Sequence, residues 1–486
     1  MRPHPDLSGT APKPTWLPIA LGSLLRLVQI WMPVVGVHSW RQADTAAMAR
    51  HFSQAGTPIW LPQIDWGGAS AGFVESEFPL YPFLVSRLYN LMGVQEWLGR
   101  GLSVLCSALT IWLVMRLGRR WFTPQVGWWA GMAFALAPLG VYYGRTFQAE
   151  ALLVLCAAGS LEAHSIFVER RKAWALSLSW ICFTGAALIK VIPWLWLGLP
   201  LLLVQLTPSP RAKAESPEQM LRRLLRLSLN PWFWVYVSTA LAVTSAWYVH
   251  AYQLGEASGL TFGFWGEDSD RSNIGLALNL SSWVNLAIRT GLRALVVTGV
   301  PLLMIGTMRC WRFGGGRIAL GGAVGMLICT VATMRSSTVH EYYQFPFLLF
   351  SSPLVGLGWQ TLQYKQRRWP IQMLLSITLI ASLSILSFDY WAVEIRRLST
   401  WMPLAESIRK EIPVNARVVC VTDSDPTLLN LARRQGWIIP SRELTMDKLK
   451  ELKNDGASFL TGSLNWRNTY TAMQEAESSR IRKLIQ

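Results

Sequence analysis

The chain has 486 residues, of which 51% are hydrophobic and 15% are charged. Soluble globular proteins carry about 25% charged residues, so this composition excludes disordered, fibrous and ordinary soluble proteins. It indicates a polytopic membrane protein, and the 26 Trp residues agree, because tryptophan is enriched at bilayer interfaces. The net charge of +17 lies mostly in short loops between apolar segments, so no nucleic-acid partner is expected.

Eleven apolar segments approach the roughly 20 residues that a membrane-spanning helix needs. They cover residues 16–36, 97–117, 124–143, 148–168, 173–189, 191–206, 231–252, 286–308, 317–334, 342–362 and 370–391. The two shortest, 173–189 and 191–206, are separated only by Lys190 and predict a two-span hairpin with this lysine at its tip. The fold class predicted is an all-α polytopic membrane protein.

Basic residues concentrate in alternate loops, which predicts the topology through the positive-inside rule. Residues 1–15 are then cytoplasmic, and residues 16–391 form the membrane module. Its two long loops, 37–96 and 253–285, lie outside the cytoplasm. The first of these loops ends in an amphipathic stretch over residues 78–92, which is expected to lie along the membrane surface.

The composition changes at about residue 405 to that of a small soluble domain. Residues 416–422 and 457–460 read as buried strands, and residues 426–434 and 445–455 read as helices. An odd number of spans places this segment, residues 405–486, outside the cytoplasm. The sequence therefore predicts a compact extracytoplasmic α/β domain at the C-terminus.

The first exterior loop contains the acidic residues best placed for chemistry. Asp44 follows Arg41 and Gln42 just outside the membrane, where a carboxylate oriented by its neighbours can accept a proton from a hydroxyl group. Glu75 and Glu77 directly precede the amphipathic stretch. The alternative for all of them is that they are solvated loop charges, since their spacing alone is weak evidence.

The motifs around these acids resemble a known family. WRQADTAAMARHF, EFPLYPFLVSRLYNLMG and EWLGRGLSVL resemble the GT-C-type glycosyltransferases. Among these, they are most similar to bacterial family 39 enzymes, the relatives of protein O-mannosyltransferases and lipid A aminoarabinose transferases. PLGVYYGR at 138–145 and HEYYQFP at 340–346 extend the resemblance, which covers roughly residues 16–391.

This resemblance implies a glycosyltransferase of the bacterial inner membrane with an extracytoplasmic active site. A polyprenyl-phosphate-linked sugar would be the donor, and a lipid, glycan or protein hydroxyl the acceptor, with inversion at the anomeric carbon. Asp44 falls on the family's general base. Glu77, or alternatively Glu75, falls on an acid that in relatives contacts the acceptor or a divalent metal; no other cofactor is implied.

The resemblance leaves the phosphate-binding cation open, because the second loop motif lacks the Lys next to a Pro pair that some relatives carry. The departing phosphate needs cationic donors, and Lys190 at its predicted hairpin tip is the first candidate. Its alternative is a lysine that snorkels to the interface. Arg145 is the next candidate, unless it simply pairs with Glu150. Arg41 can either bind the phosphate or orient the base Asp44.

His340, Tyr342 and Tyr343 lie at the predicted outer end of the tenth span. They either contact the sugar or phosphate, with His340 as a possible metal ligand, or belong to an aromatic belt at the interface. In the second exterior loop, the acidic run over residues 266–271 suggests a mobile lid over the donor site.

A transporter or flippase of lipid-linked sugars is the alternative function. Transporters are commonly built from matching half-repeats with broken helices and polar groups at the bilayer midplane. This sequence shows no matching halves, and its candidate groups gather on one side of the membrane. The pattern therefore favours an enzyme.

Overall fold

The fold is known from a computed structural model that describes residues 14–54, 56–207, 209–211, 216–262, 273–365, 368–462 and 481–483. Most of this chain is helical. The predicted lid over residues 266–271 and most of the predicted cytoplasmic N-terminus lie outside the described residues.

The helices up to the C-terminal domain are Trp16–Leu27, Ser39–Gln54, Leu80–Met92, Glu96–Trp121, Pro124–Leu136, Pro138–Tyr143, Glu150–Arg170, Ala173–Ile189, Pro193–Trp196, Gly198–Leu206, Pro217–Ser228, Pro231–Ser258, Ile274–Leu278, Leu280–Arg289, Gly299–Cys310, Gly314–Ala332, Met334–Val339, Leu348–Lys365, Arg368–Ile385 and Ala392–Glu411. Short 3-10 or π-helical turns join some of them at Thr290–Ala294, Glu341–Phe347 and Leu386–Trp391. Each of the eleven predicted apolar segments contains helix, which confirms the all-α prediction for the module.

Four helices in the described part of the chain are long and apolar enough to cross a bilayer alone: Glu96–Trp121, Glu150–Arg170, Gly314–Ala332 and Gln372–Glu411. The other apolar segments are shorter or broken. Leu280–Ala294 and Gly299–Cys310, for example, meet at an angle of 98°. The count of eleven spans therefore stays a prediction, although the chain is an integral membrane protein.

A proline accounts for one of the breaks. Ala137 has an extended backbone before Pro138, as expected because a proline disfavours helical geometry in the residue before it. The helix Pro124–Leu136 ends there, and Pro138–Tyr143 leads the chain into a buried turn. The predicted span 16–36 is helical only to Leu27, and Gln29 has a φ of 59°.

Glycines allow close packing between helices of the module. A Cβ on Gly306 would lie 1.9 Å from the carbonyl oxygen of Leu354, and one on Gly358 would lie 2.1 Å from that of Leu302. The helices Gly299–Cys310 and Leu348–Lys365 thus meet backbone to backbone, as small residues allow in membrane proteins.

The C-terminal domain is the small α/β unit that the sequence predicts. Its sheet has the order β2-β1-β3-β4, with bounds Arg417–Val421, Gln435–Ile439, Ala457–Gly462 and Ile481–Lys483 for β1 to β4. β1 pairs in parallel with β2 and β3, while β4 is antiparallel to β3. Thr427–Ala432, Ser441–Glu443 and Met446–Asn454 are helical. Strands β2 and β4 were not predicted, and the helix expected over residues 426–434 is observed over Thr427–Ala432.

Candidate functional site

The helix Ser39–Gln54 carries the principal site residues and is largely buried within the first long loop, residues 37–96. Ala43, Ala46 and Ala49 are almost completely buried, so their small side chains let neighbouring segments approach closely. Asp44, on the same helix, is only 3% exposed. Burying a carboxyl group this deeply costs free energy unless its partners compensate, so its partners determine what it can do.

Asp44 has a neutral hydrogen-bond partner. The indole Nε1 of Trp66 donates to Asp44 Oδ1 over 2.9 Å. Burial raises the pKa of Asp44 to about 8, although the Trp66 hydrogen bond and the charge of Arg41 act in the opposite direction. A carboxyl group with this pKa exchanges protons near neutral pH, which is what a general base requires.

A cleft of about 450 Å³, partly open to solvent, lies beside Asp44. Five of the predicted residues line it together: Arg41, Asp44, Glu77, Glu150 and Lys190. They come from the helix Ser39–Gln54, the end of the first loop, the helix Glu150–Arg170 and the break after the helix Ala173–Ile189. The structure therefore joins residues that are far apart in sequence into one polar site.

Glu77 and Glu75 have different surroundings, although they are two residues apart. Glu77 lines the cleft and forms an ion pair with Arg41, whose guanidinium also lies 5.0 Å from the ring centre of Phe262. Glu75 is buried and accepts a hydrogen bond from the Thr261 hydroxyl. Glu75 therefore holds the segment that carries Phe262 against the first loop, and Glu77 is the acid that faces the cleft.

Lys190 lies in a break between helices, as the sequence predicts, but its side chain is buried instead of reaching the interface. Its Nζ donates to Glu150 Oε1 over 2.6 Å and lies 4.6 Å and 4.9 Å from the ring centres of Tyr342 and Tyr343. Aromatic faces attract cations, so these rings help to keep an ammonium group at the cleft.

Arg145 lies apart from this cleft. It is fully buried and pairs with Glu394 Oε2 at 2.5 Å, while Arg100 approaches the other oxygen of Glu394 at 3.5 Å. The pairing with Glu150 considered from the sequence is not formed, because Glu150 pairs with Lys190. Arg145 thus ties the turn after Tyr143 to the helix Ala392–Glu411.

Gln42 is also buried, and both ends of its amide bond to the backbone. Its Nε2 donates to the Val37 carbonyl at 3.2 Å, and its Oε1 accepts from the Phe147 N–H at 3.1 Å. It therefore connects the helix Ser39–Gln54 to the turn that precedes Glu150.

The described side chains do not fit a metal centre. His340 packs against the rings of His38, Trp40 and Tyr342, and Glu77 is engaged by Arg41. No group of three His, Cys, Asp or Glu suited to a metal ion occurs among the residues that the structure describes. No step of the reaction is therefore assigned to a metal.

The residues of the site that were not found from the sequence include Trp66, Gln148 and Phe262. Gln148 is the one for which the sequence held a signal, since it lies between Arg145 and Glu150, directly after a motif that supports the family resemblance. Trp66 and Phe262 reach the site only through the folding of the two exterior loops, for which no local pattern exists.

Comparisons with known proteins concern the fold and part of the sequence. Residues 76–250 match the family model described as dolichyl-phosphate-mannose-protein mannosyltransferase. No curated protein sequence matches. Among solved structures, ArnT from Cupriavidus metallidurans, bound to undecaprenyl phosphate, has 15% identity and a TM-score of 0.64, and the match covers 96% of each chain.

Two further solved structures share the fold. The archaeal oligosaccharyltransferase AglB from Archaeoglobus fulgidus, in complex with an inhibitory peptide and a dolichol-phosphate, has 12% identity and a TM-score of 0.54 over 94% of this chain and 70% of that one. The mycobacterial arabinofuranosyltransferase AftD has 16% identity and a TM-score of 0.51 over 94% and 37%. The resemblance to GT-C-type enzymes is therefore confirmed by the fold and by the family model.

Proposed function

We propose that this protein, a glycosyltransferase of the GT-C type, moves a sugar from a polyprenyl-phosphate carrier to a hydroxyl acceptor at the extracytoplasmic face of a bacterial inner membrane. The observation that carries this proposal is the placement of a buried carboxyl group of raised pKa, Asp44, in one cleft with an ammonium group, Lys190. Transfer from a sugar phosphate needs these two groups: a base for the nucleophile and a cation for the leaving group.

Asp44 is the proposed base. The ionised carboxylate takes the proton of the acceptor hydroxyl while the hydroxyl oxygen attacks the anomeric carbon of the donor sugar. The bond from that carbon to the phosphate oxygen breaks, and its electron pair leaves with the phosphate. Attack from the face opposite the phosphate inverts the anomeric carbon. The Trp66 N–H holds one carboxylate oxygen at 2.9 Å, which orients the other toward the acceptor.

Lys190 is the proposed phosphate ligand. The phosphate gains negative charge as the glycosidic bond breaks, so a cation at this point stabilises the transition state more than the ground state. Glu150 holds the ammonium group in the absence of carrier and exchanges with the phosphate when the carrier binds. Tyr342 and Tyr343 keep Nζ in place from the other side.

Arg41 and Glu77 form the proposed acceptor side of the cleft. Their ion pair is partly exposed, with 16% and 25% of the two side chains accessible, so it faces an approaching molecule. A carboxylate here accepts hydrogen bonds from hydroxyl or amine groups of an acceptor. This assignment agrees with the family position of Glu77, whereas Glu75 has a structural contact.

The solved relatives support a lipid carrier. One of the ArnT structures contains undecaprenyl phosphate, and the AglB complex contains a dolichol-phosphate. A polyprenyl tail would lie among the apolar helices while its phosphate reaches the cleft. The loop charges support the extracytoplasmic position.

The direct test is a release assay with purified protein in nanodiscs. Undecaprenyl phosphate carrying mannose, glucose or 4-amino-arabinose is mixed with membrane extract as the acceptor source, and free undecaprenyl phosphate is measured. We expect the parent to release carrier from at least one donor and Asp44→Asn to release almost none. Equal release by both proteins, or release from none of the donors, contradicts the proposal.

A further inference from the structure

Among the described residues that line the cleft, one buried polar side chain has no hydrogen-bond partner and no part in the proposed reaction. Gln148 lines the cleft and is 1% exposed. Neither its Nε2 nor its Oε1 has a hydrogen-bond partner among the residues that the structure describes. Buried amides are almost always paired, because an unpaired donor or acceptor loses its hydration without compensation. Gln148 is therefore expected to meet its partner in a bound molecule.

The backbone around Gln148 is firmly held. The Gln148 N–H donates to the Thr146 carbonyl at 2.8 Å, and the preceding N–H, that of Phe147, donates to Gln42 at 3.1 Å. Two residues later, Glu150 begins a helix and binds Lys190. The amide is thus presented to the cleft from a rigid turn that also fixes its distance from Lys190 and the helix of Asp44.

The chemistry of the amide selects the kind of ligand. A carboxamide offers one acceptor oxygen and two N–H donors. Phosphate offers only acceptors at its ionised oxygens and would leave Oε1 unpaired, and the cleft already holds Lys190 and Arg41 for an anion. A hydroxyl group both donates and accepts, so two neighbouring hydroxyls satisfy both ends of the amide at once.

We infer that Gln148 binds hydroxyl groups of the transferred sugar and so determines which sugar the enzyme accepts. The inference rests on the proposed function, because it assumes that the sugar of the donor lies between its phosphate at Lys190 and the base Asp44. A buried amide made to bind hydroxyls rejects a sugar that lacks them, since its polar atoms are then left unpaired. Gln148 is therefore a specificity-determining residue.

The test distinguishes binding of the sugar from binding of the carrier phosphate. It measures two affinities of the protein in nanodiscs. The probes are undecaprenyl phosphate and the undecaprenyl-phosphate sugar that the parent binds most tightly among the mannose, glucose and 4-amino-arabinose esters. We expect Gln148→Ala to weaken binding of the sugar ester by at least about tenfold, because it removes the hydrogen bonds at both ends of the amide, and to leave binding of undecaprenyl phosphate unchanged. Lys190→Ala is the matched control and should weaken both.

Deoxy donors, each lacking one sugar hydroxyl, sharpen the test. If Gln148 binds a hydroxyl, removing that hydroxyl weakens binding to the parent but not to Gln148→Ala, because the two changes delete the same contact. Equal losses in both proteins for every deoxy donor overturn the inference, as does a Gln148→Ala variant that binds carrier and ester with equally reduced affinity. A parent that binds neither probe instead contradicts the proposed function itself, and the inference falls with it.

Discussion

Asp44 and Asp65 are both 3% exposed and both belong to the first long loop, residues 37–96, yet their surroundings give them opposite properties. Asp65 accepts hydrogen bonds from Arg50 and from His51 Nε2, the latter at 2.9 Å. Burial favours its neutral form, but these two neighbours outweigh burial and lower its pKa below the usual value. Among the residues that the structure describes, Asp44 has only the neutral Trp66 as a hydrogen-bond donor, and burial raises its pKa to about 8.

The comparison teaches that the partner decides the role of a buried carboxyl group. A cation converts Asp65 into a permanent anion that holds structure, while an indole leaves Asp44 able to gain and lose a proton. Asp44 lies on the helix Ser39–Gln54, and Asp65 is bound by Arg50 of the same helix. One helix thus has a chemical side and a structural side.

The structural side is completed by the C-terminal domain. Arg50 also donates to Asn430 Oδ1 at 2.9 Å, and the Gly436 N–H donates to the Asp65 carbonyl at 2.9 Å. The Thr427 hydroxyl lies 2.9 Å from that of Ser39. The domain therefore packs against the side of the Asp44 helix that faces away from the cleft. Its role is structural, since none of its described residues lines the cleft.

The largest expected effect is on the chemical side. Asp44→Asn should lower transfer by about 10²- to 10⁴-fold, because an amide of the same shape does not accept the acceptor proton. Its thermal stability in detergent should equal that of the parent below about pH 4 and exceed it by a growing margin up to about pH 8, because over this range the folded parent keeps on Asp44 a proton that the unfolded chain has lost. Transfer assays and melting curves check both parts, and substantial turnover would remove Asp44 from the mechanism.

The same substitution at Asp65 should mainly lower stability, whereas at Asp44 it mainly lowers the rate of transfer. Asp65→Asn leaves the buried guanidinium of Arg50 without its anion, and breaking a buried ion pair costs about 3–5 kcal/mol. We expect a clearly lower melting temperature than for Asp44→Asn at neutral pH, with any loss of activity following the loss of folded protein. If Asp65→Asn melts like the parent but loses transfer, the assignment of the two acids is reversed.

A third change tests the cation of the cleft. Lys190→Ala should weaken binding of undecaprenyl phosphate and lower the rate of transfer, whereas Lys190→Arg should keep part of both because it retains charge but changes geometry. Binding is measured by titration in nanodiscs. Unchanged carrier affinity in the Ala variant would assign the phosphate to another cation, with Arg41 the next one at the cleft.

The smallest contrast concerns the two glutamates. Glu77→Gln should reduce transfer more than Glu75→Gln, since only Glu77 lines the cleft. Glu75→Gln should act mainly on stability, because its hydrogen bond with Thr261 joins the two exterior loops. Parallel activity and melting measurements separate the two, and equal mild effects would make both of them structural or solvated charges.

The sequence predicted the parts of this molecule that depend on local pattern. Apolar length marked the helical segments, short apolar runs marked strands β1 and β3, and Gly456 marked the end of the helix Met446–Asn454. The motif WRQAD, read as a family resemblance, led to Asp44. These features are readable because each is determined by residues that are close together in the chain.

The remaining features depend on contacts between distant segments. Arg145 is 249 residues from its partner Glu394, so the sequence suggested the nearby Glu150 instead. Trp66 is 22 residues from Asp44 and meets it only because the first loop folds back on its own helix. Burial, which sets the pKa of Asp44, is likewise a property of the assembled fold.

The pH dependence of transfer tests the central claim most directly, because kcat/KM reports the ionisation of the free enzyme. Asp44 must be ionised to act as base, and its pKa of about 8 means that most molecules are protonated at neutral pH. We predict that kcat/KM for the donor rises about tenfold for each pH unit below 8 and levels off above it. A profile that is flat from about pH 6 to about pH 9 would contradict the account.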